Sequence, residues 1–82
     1  MIKVLFFAKL REALDCSECS VALQETTVAA LRERLMDEGG DVWRQALSAP
    51  NVLCAVNQQI AKNMQTVVAG DEVAFYPPVT GG

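Results

Sequence analysis

The sequence contains no histidine, and this absence removes several kinds of active site. Histidine is the commonest general base, the commonest zinc ligand and the activating partner in Ser-His and Cys-His pairs. An internal catalytic site in the body of this chain is therefore not expected.

Basic residues are few, and long apolar runs are missing. The 82 residues include 7 Lys and Arg against 10 Asp and Glu, for a formal net charge of -3. Nucleic-acid binding is not expected because it depends on clustered positive charge, whereas an acidic domain suits a basic patch on another protein. No run approaches the ~20 apolar residues of a membrane span, and charge interrupts the N-terminus too early for a secretory signal. We expect a cytoplasmic protein with no membrane association.

The pattern of apolar residues predicts one α+β domain. Hydrophobic residues make up 51% and charged residues 21% of the chain, as in globular proteins. The order of strands and helices indicates a mixed sheet packed on one main helix. The predicted elements are strands at 2–7, 17–23, 52–56, 59–61 and 72–76, a helical turn at 9–14, a main helix from Thr26 or Thr27 to Gly39-Gly40, and a short helix that Asp41 caps and that ends at Leu47.

The last six residues, Pro77-Pro78-Val79-Thr80-Gly81-Gly82, predict a tail that follows a body formed by residues 1–76. Pro77 cannot donate to a strand ladder, and paired prolines favour an extended backbone. Six residues at about 3.3–3.6 Å each can span about 20 Å. Two terminal glycines, which carry no side chain, suit delivery of a carboxylate into a narrow pocket. The alternative is a frayed end or a cloning remnant.

Residues 71–82, Asp-Glu-Val-Ala-Phe-Tyr-Pro-Pro-Val-Thr-Gly-Gly, resemble the C-terminal signature of the small subunits of molybdopterin synthase. Residues 1–12 are similar to the first strand and short helix of that family, and residues 55–58 to its mid-chain strand and turn. The resemblance runs from end to end. Tyr76 in place of a second Phe is a conservative departure.

The resemblance implies a ubiquitin-like β-grasp fold and a sulfur carrier that is not catalytic alone. An ATP-dependent adenylyltransferase of the ubiquitin-activating type would adenylate the Gly82 carboxylate, and a sulfur donor system would convert it to a thiocarboxylate. The tail, Pro77 to Gly81, would enter a large catalytic subunit in a complex of two small and two large subunits. There the sulfur would attack cyclic pyranopterin monophosphate to build the molybdopterin dithiolene. No cofactor would be bound to the chain itself, and ATP would be used by the activating partner.

Several apolar residues near the predicted tail are candidates for either the core or a partner interface. They are Phe7, Ile60, Phe75 and Tyr76, and any that face outward would form a docking patch. Arg11 is a solvated charge by default, and the resemblance implies that basic residues of the first helical turn engage the activating enzyme.

Three cysteines form the remaining candidate site. Cys16 and Cys19 are spaced as a CxxC pair, and Cys54 lies far from them in the sequence. A structural zinc site needs four ligands, so no metal is expected unless Cys54 and a carboxylate lie close by. Strand alternation predicts that Cys16 and Cys19 face opposite sides of the sheet, which disfavours redox function. A small thiol or metal protein remains an alternative.

Two further alternatives share the predicted fold. One is a sulfur carrier for another pathway, such as thiamine synthesis or tRNA thiolation, and the other is an interaction module with an unmodified tail. The Pro-Pro-Val-Thr-Gly-Gly ending favours molybdopterin synthesis.

Overall fold

Two strands from opposite ends of the chain lie side by side in the main sheet. The structure is a computed structural model that describes residues 1–77. In it, β1 (Ile2–Phe6) pairs in parallel with β7 (Glu72–Tyr76). Between them lie α1 (Ala8–Leu14), β2 (Glu18–Val21), β3 (Glu25–Thr27), α2 (Val28–Gly39), α3 (Asp41–Ser48), β4 (Leu53–Val56), β5 (Gln59–Ala61) and β6 (Thr66–Val68).

The main sheet is mixed and has the strand order β2-β1-β7-β4-β5. Only the β1–β7 pair is parallel; β2 on β1, β4 on β7 and β5 on β4 are antiparallel. β3 and β6 form a separate antiparallel pair. The prediction of an α+β fold, with a mixed sheet packed on one main helix, is confirmed.

Local sequence signals set both ends of α2. The Thr27 hydroxyl accepts a hydrogen bond from the Ala30 backbone N–H at 3.2 Å, which satisfies one of the free donors at the helix start. The helix ends before Gly40, whose φ of 85° is a conformation that residues with a side chain rarely adopt. The apolar stripe of α2 is buried, as its spacing predicted; its members are Val28, Leu31, Leu35 and Met36.

Aromatic rings join the sheet to the helical layer. The Phe6 and Phe75 rings stack with centroids 6.2 Å apart, and the Trp43 ring meets Phe6 edge-on at 5.3 Å. Phe75 is 0% exposed, so of the two possibilities left open for it the core is right and the partner interface is wrong. The physical reason is strand alternation: Val73 and Phe75 point toward the helices, which leaves the other side of β7 to face outward.

The sequence does not predict two short strands, β3 and β6. β3 and β6 have three residues each, and β3 runs directly into the Thr27 cap, so the sequence predicts only a helix start at Thr26 or Thr27. The cap of α3 is also corrected: Gly40 holds the N-cap position, and Asp41 is already in the first turn. There its carboxylate meets the positive end of the helix dipole.

β7 ends at Tyr76, as predicted, and Pro77 is the last residue described. The predictions for Pro78, Val79, Thr80, Gly81 and Gly82 lie outside the described residues. The division into a body at 1–76 and a tail at 77–82 therefore stays a prediction. In residues 1–77, no helix combines the length and apolar character needed to cross a membrane.

Candidate functional site

The strand that leads into the tail lies in the middle of the main sheet. β7 has β1 on one side and β4 on the other, and Leu53 of β4 is opposite Tyr76. Just beyond β1, the Phe7 backbone N–H donates to the Phe75 carbonyl at 3.3 Å. Because a central strand is bonded on both edges, the place where the tail begins is firmly positioned.

The sheet face opposite the helices carries an exposed apolar groove beside that point. Its volume is about 300 Å³. Register places Leu5 opposite Ala74, and Ala74 opposite Ala55, so these side chains share one face. This surface, called here the sheet-face groove, is lined by Leu5, Phe7, Ala55, Gln58, Ile60, Glu72, Ala74 and Tyr76.

Two of the sequence-predicted interface residues stand at this groove. Phe7 is 45% exposed and Ile60 is 83% exposed. Exposed apolar side chains that cluster around a groove are typical of protein–protein contact sites. Tyr76 also lines the groove, so it joins this surface to the strand that enters the tail. Contact of Phe7 and Ile60 with a partner stays a prediction.

Arg11 is exposed and lies one helical turn after Phe7. Its backbone N–H donates to the Phe7 carbonyl at 3.3 Å, which closes the first turn of α1. Among residues 1–77, no carboxylate lies within ion-pair distance of the Arg11 side chain. Its side chain lines a separate surface pocket with Asp15 and Cys16 and not the sheet-face groove, and its role toward an activating enzyme is untested.

The cysteines do not meet as one cluster. Cys54 lies on β4, which two intervening strands separate from β2 and Cys19. In the part of the chain that the structure describes, no group of three or more Cys, Asp or Glu residues could hold a metal ion. Burial raises the pKa of the Cys54 thiol to about 11, although the nearby Arg32 charge opposes the shift.

The prediction that Cys16 and Cys19 face opposite ways is wrong. Both pack against the apolar core, because the chain bends at Ser17 and β2 begins only at Glu18. Burial is the main cause that raises the pKa of the Cys19 thiol to about 11, and the adjacent Cys16 and Glu38 add to it.

The sequence does not identify three of the residues that line the groove, or the position of the Arg32 side chain over the Phe75 ring. Leu5, Ala55 and Ala74 belong to three correctly predicted strands, and period-two alternation separates the two faces of each strand but does not say which face is outward. The Arg32 guanidinium lies 5.4 Å from the centroid of the Phe75 ring, and no sequence signal pairs these residues.

Comparison with known proteins gives one family and two close relatives. Residues 4–82 match the model of the ThiS family. Over its whole length the chain is 46% identical to the molybdopterin synthase sulfur carrier subunit of Escherichia coli, and 42% identical to the subunit of that name from Haemophilus influenzae. Both alignments cover 100% of each chain.

Solved structures share the fold. SAMP1 from Haloferax volcanii matches with a TM-score of 0.66 and 26% identity, over 99% of this chain and 98% of that one. A chain from the complex of subunits 1 and 2 of molybdopterin-converting factor from Helicobacter pylori matches with a TM-score of 0.69 and 20% identity. The match covers 99% of this chain and 97% of that one. The predicted ubiquitin-like β-grasp fold is confirmed by these matches.

Proposed function

The chain belongs to the ThiS family, and on that premise we propose that it is the sulfur-carrier subunit of molybdopterin synthase. One structural observation carries the proposal. Tyr76 ends the central strand that leads into the Gly-Gly tail, and the same residue lines an exposed apolar groove. The groove thus offers a docking surface directly beside the strand from which the tail continues.

The chemistry takes place on the Gly82 carboxylate. A carboxylate does not react with a sulfur nucleophile until one oxygen becomes a good leaving group. Adenylation by an ATP-dependent activating enzyme makes that oxygen part of AMP, and a sulfur donor then displaces AMP to leave a thiocarboxylate. The thiocarboxylate sulfur attacks cyclic pyranopterin monophosphate and links it to the Gly82 acyl group. Water then cleaves the bond between the acyl carbon and the sulfur, which leaves the sulfur on the pterin and restores the Gly82 carboxylate, and a second cycle supplies the second dithiolene sulfur.

The body of this chain holds and presents the tail, and it supplies no acid or base to the reaction. The chain has no histidine, the commonest general acid or base in enzymes. Proton transfers therefore belong to the large subunit. The side-chain-free Gly81 and Gly82 suit a narrow channel that ends at its reacting centre.

The sheet-face groove is the surface that contacts the large subunit. Phe7 and Ile60 serve as its apolar anchors, because buried aliphatic and aromatic side chains carry most of the energy of such contacts. Because Tyr76 lines the groove and also ends β7, it fixes where the tail starts relative to the docked surface. We propose an assembly of two small and two large subunits, in the cytoplasm where ATP is available.

Arg11 engages the activating enzyme rather than the large subunit. Its side chain is exposed and stands one turn from Phe7, so it can meet an acidic group on a protein that also covers the groove. Opposite charges at the rim of an interface raise the rate of encounter.

Intact-mass analysis tests the carrier proposal. The full chain is co-expressed with its activating enzyme and sulfur donor, and we expect one oxygen to be replaced by sulfur at Gly82. A variant with one alanine added after Gly82 keeps the body unchanged and is expected to show no sulfur and no product with the large subunit. Synthesis of molybdopterin by the extended variant would contradict the proposal, and an unmodified wild-type tail would favour an interaction module.

A further inference from the structure

Cys16 and Cys19 lie together at one edge of the main sheet. Both pack against the apolar core, from the side of β2 that faces the helices. The Cys16 thiol donates a hydrogen bond at 3.3 Å to the carbonyl of Glu18, the residue directly before Cys19. The sulfur of Cys16 is thereby held against the backbone directly before Cys19.

Each thiol of the pair borders its own open space. Cys16 lines a surface pocket of about 370 Å³ together with Arg11 and Asp15, so a small reactant can approach its sulfur from solvent. A cavity of about 230 Å³ opens next to Cys19, between the end of α2 and the ring of Trp43. Its wall includes Glu38 and Gly39. Within residues 1–77, no third ligand completes a metal site with the two thiols, so thiol exchange is the chemistry that the pair supports best.

We propose that Cys16 and Cys19 form a dithiol site that exchanges reversibly with small disulfides of the glutathione type. The site is separate from the proposed chemistry of Gly82. It needs only the two thiols, an approach path and a chain segment that can bring the sulfurs together. The bend at Ser17, before the regular part of β2, already places the two thiols within hydrogen-bond distance of each other.

The exchange has two steps. The Cys16 thiolate attacks one sulfur of the oxidant, forms a mixed disulfide and releases one glutathione thiolate, which takes up a proton. Cys19 then loses its proton, attacks the Cys16 sulfur and releases the second glutathione. In balance, two protein thiols are oxidised and one glutathione disulfide is reduced to two thiols.

The order of attack follows from the surroundings of Cys19. Burial, Cys16 and Glu38 raise its pKa to about 11, so its thiol is almost wholly protonated near neutral pH. The thiolate is the attacking species in disulfide exchange. Cys16, which lines a pocket open to solvent, is accordingly the first nucleophile, and Cys19 is the resolving one.

Trypsin places the Cys16 and Cys19 pair and Cys54 in different peptides, so a disulfide can be assigned to the pair by mass. Cleavage after Arg11 and Arg32 gives the peptide 12–32, which contains Cys16 and Cys19, whereas Cys54 lies in the peptide 45–62. The folded full chain is incubated with glutathione disulfide, its free thiols are alkylated, and the digest is analysed by mass. We expect peptide 12–32 to lose two hydrogen atoms, to resist alkylation and to regain both thiols in dithiothreitol.

Single variants give the matched controls. Cys16→Ser should leave Cys19 largely unreacted, whereas Cys19→Ser should accumulate a glutathione adduct on Cys16 that does not close. Trp43 beside the cavity offers a second readout, since its fluorescence should change on oxidation of the wild type and return on reduction. A disulfide that joins the two peptides, a stable adduct on the wild type, or two thiols that stay free would each overturn the proposal. None of these results depends on sulfur transfer from Gly82.

Discussion

The side-chain amide of Asn57 donates a hydrogen bond to the Asp71 carboxylate at 3.0 Å and joins two turns of the main sheet. The Val68 backbone N–H donates to the other carboxylate oxygen at 2.9 Å, and the Glu72 N–H donates to the Asn57 side chain at 3.0 Å. These contacts tie the β4–β5 turn to the start of β7. They hold the end of the central strand that is remote from the tail.

We expect Asp71 to make the fold sensitive to acid. The Val68 N–H and the Asn57 amide lower the pKa of Asp71 because both donate to its charged form. Since the folded pKa lies below the unfolded one, this stabilisation is present above the unfolded value of about 3.9 and is lost as pH falls through the folded value. Asp71→Asn should therefore be less stable than the wild type at neutral pH, and the difference should shrink in acid.

Urea unfolding at neutral pH and at about pH 3 measures this effect. Glu12→Gln is the matched control, because the Glu12 carboxylate accepts no hydrogen bond from any residue of the described chain. An Asp71→Asn variant with the same pH dependence as the wild type would show that the carboxylate contributes no stability.

Short-range signals account for most of the correct sequence predictions. Asn57 and Gln58 both have positive φ, 50° and 68°, as a two-residue hairpin turn requires, and the strands predicted at 52–56 and 59–61 leave these two residues to form it. The Thr27 cap and the stop at Gly39-Gly40 are equally local. In each case the deciding interaction joins residues that are near neighbours in the sequence.

Long-range packing decides the features that the sequence did not reveal. Alternation along β7 separates Val73 and Phe75 from Ala74 and Tyr76, but it does not say which side the helices cover. For that reason the sequence alone does not separate Phe75, which is buried, from Phe7 and Ile60, which lie on the surface. The parallel pairing of β1 and β7 likewise depends on contacts about seventy residues apart.

Gly39 is expected to be intolerant of a side chain. A Cβ at this position would overlap the Trp43 ring and lie 2.6 Å from the Trp43 Cβ, so α3 would have to move. Overpacking of this kind typically costs about 1–3 kcal/mol. Gly39→Ala should lower the free energy of unfolding by such an amount, although alanine is the better helix former.

Urea unfolding followed by far-UV circular dichroism measures the loss at Gly39, and a double-mutant cycle identifies its cause. If the clash with Trp43 is responsible, Gly39→Ala should cost much less in a Trp43→Leu background. Equal costs in the two backgrounds would assign the loss to the backbone of Gly39.

Ile60 is expected to matter for partner binding and not for folding. Its side chain is 83% exposed, so Ile60→Glu should change the free energy of unfolding by no more than about 0.5 kcal/mol. A buried charge in the complex should weaken binding to the large subunit by about tenfold or more. Titration calorimetry with the purified large subunit gives the affinity.

Met64→Glu is the matched control for Ile60. Met64 is 79% exposed and does not line the sheet-face groove, so the same new charge should leave the affinity close to that of the wild type. Equal weakening by both variants would indicate a general effect of negative charge and would remove the groove from the interface.

A change at Arg11 is expected to affect the activating enzyme and not the large subunit. If its exposed charge meets an acidic group on the activating enzyme, Arg11→Glu should slow adenylation of Gly82, most strongly at low salt, because ions screen such attraction. Lys62→Glu makes the same change of charge at another exposed position and should have a smaller effect. Pyrophosphate release measures the first step, and single-turnover transfer from separately prepared thiocarboxylate measures the second. Arg11→Glu should slow the first step and spare the second, since the groove that contacts the large subunit is unaltered; equal slowing of both would place Arg11 in the large-subunit interface instead.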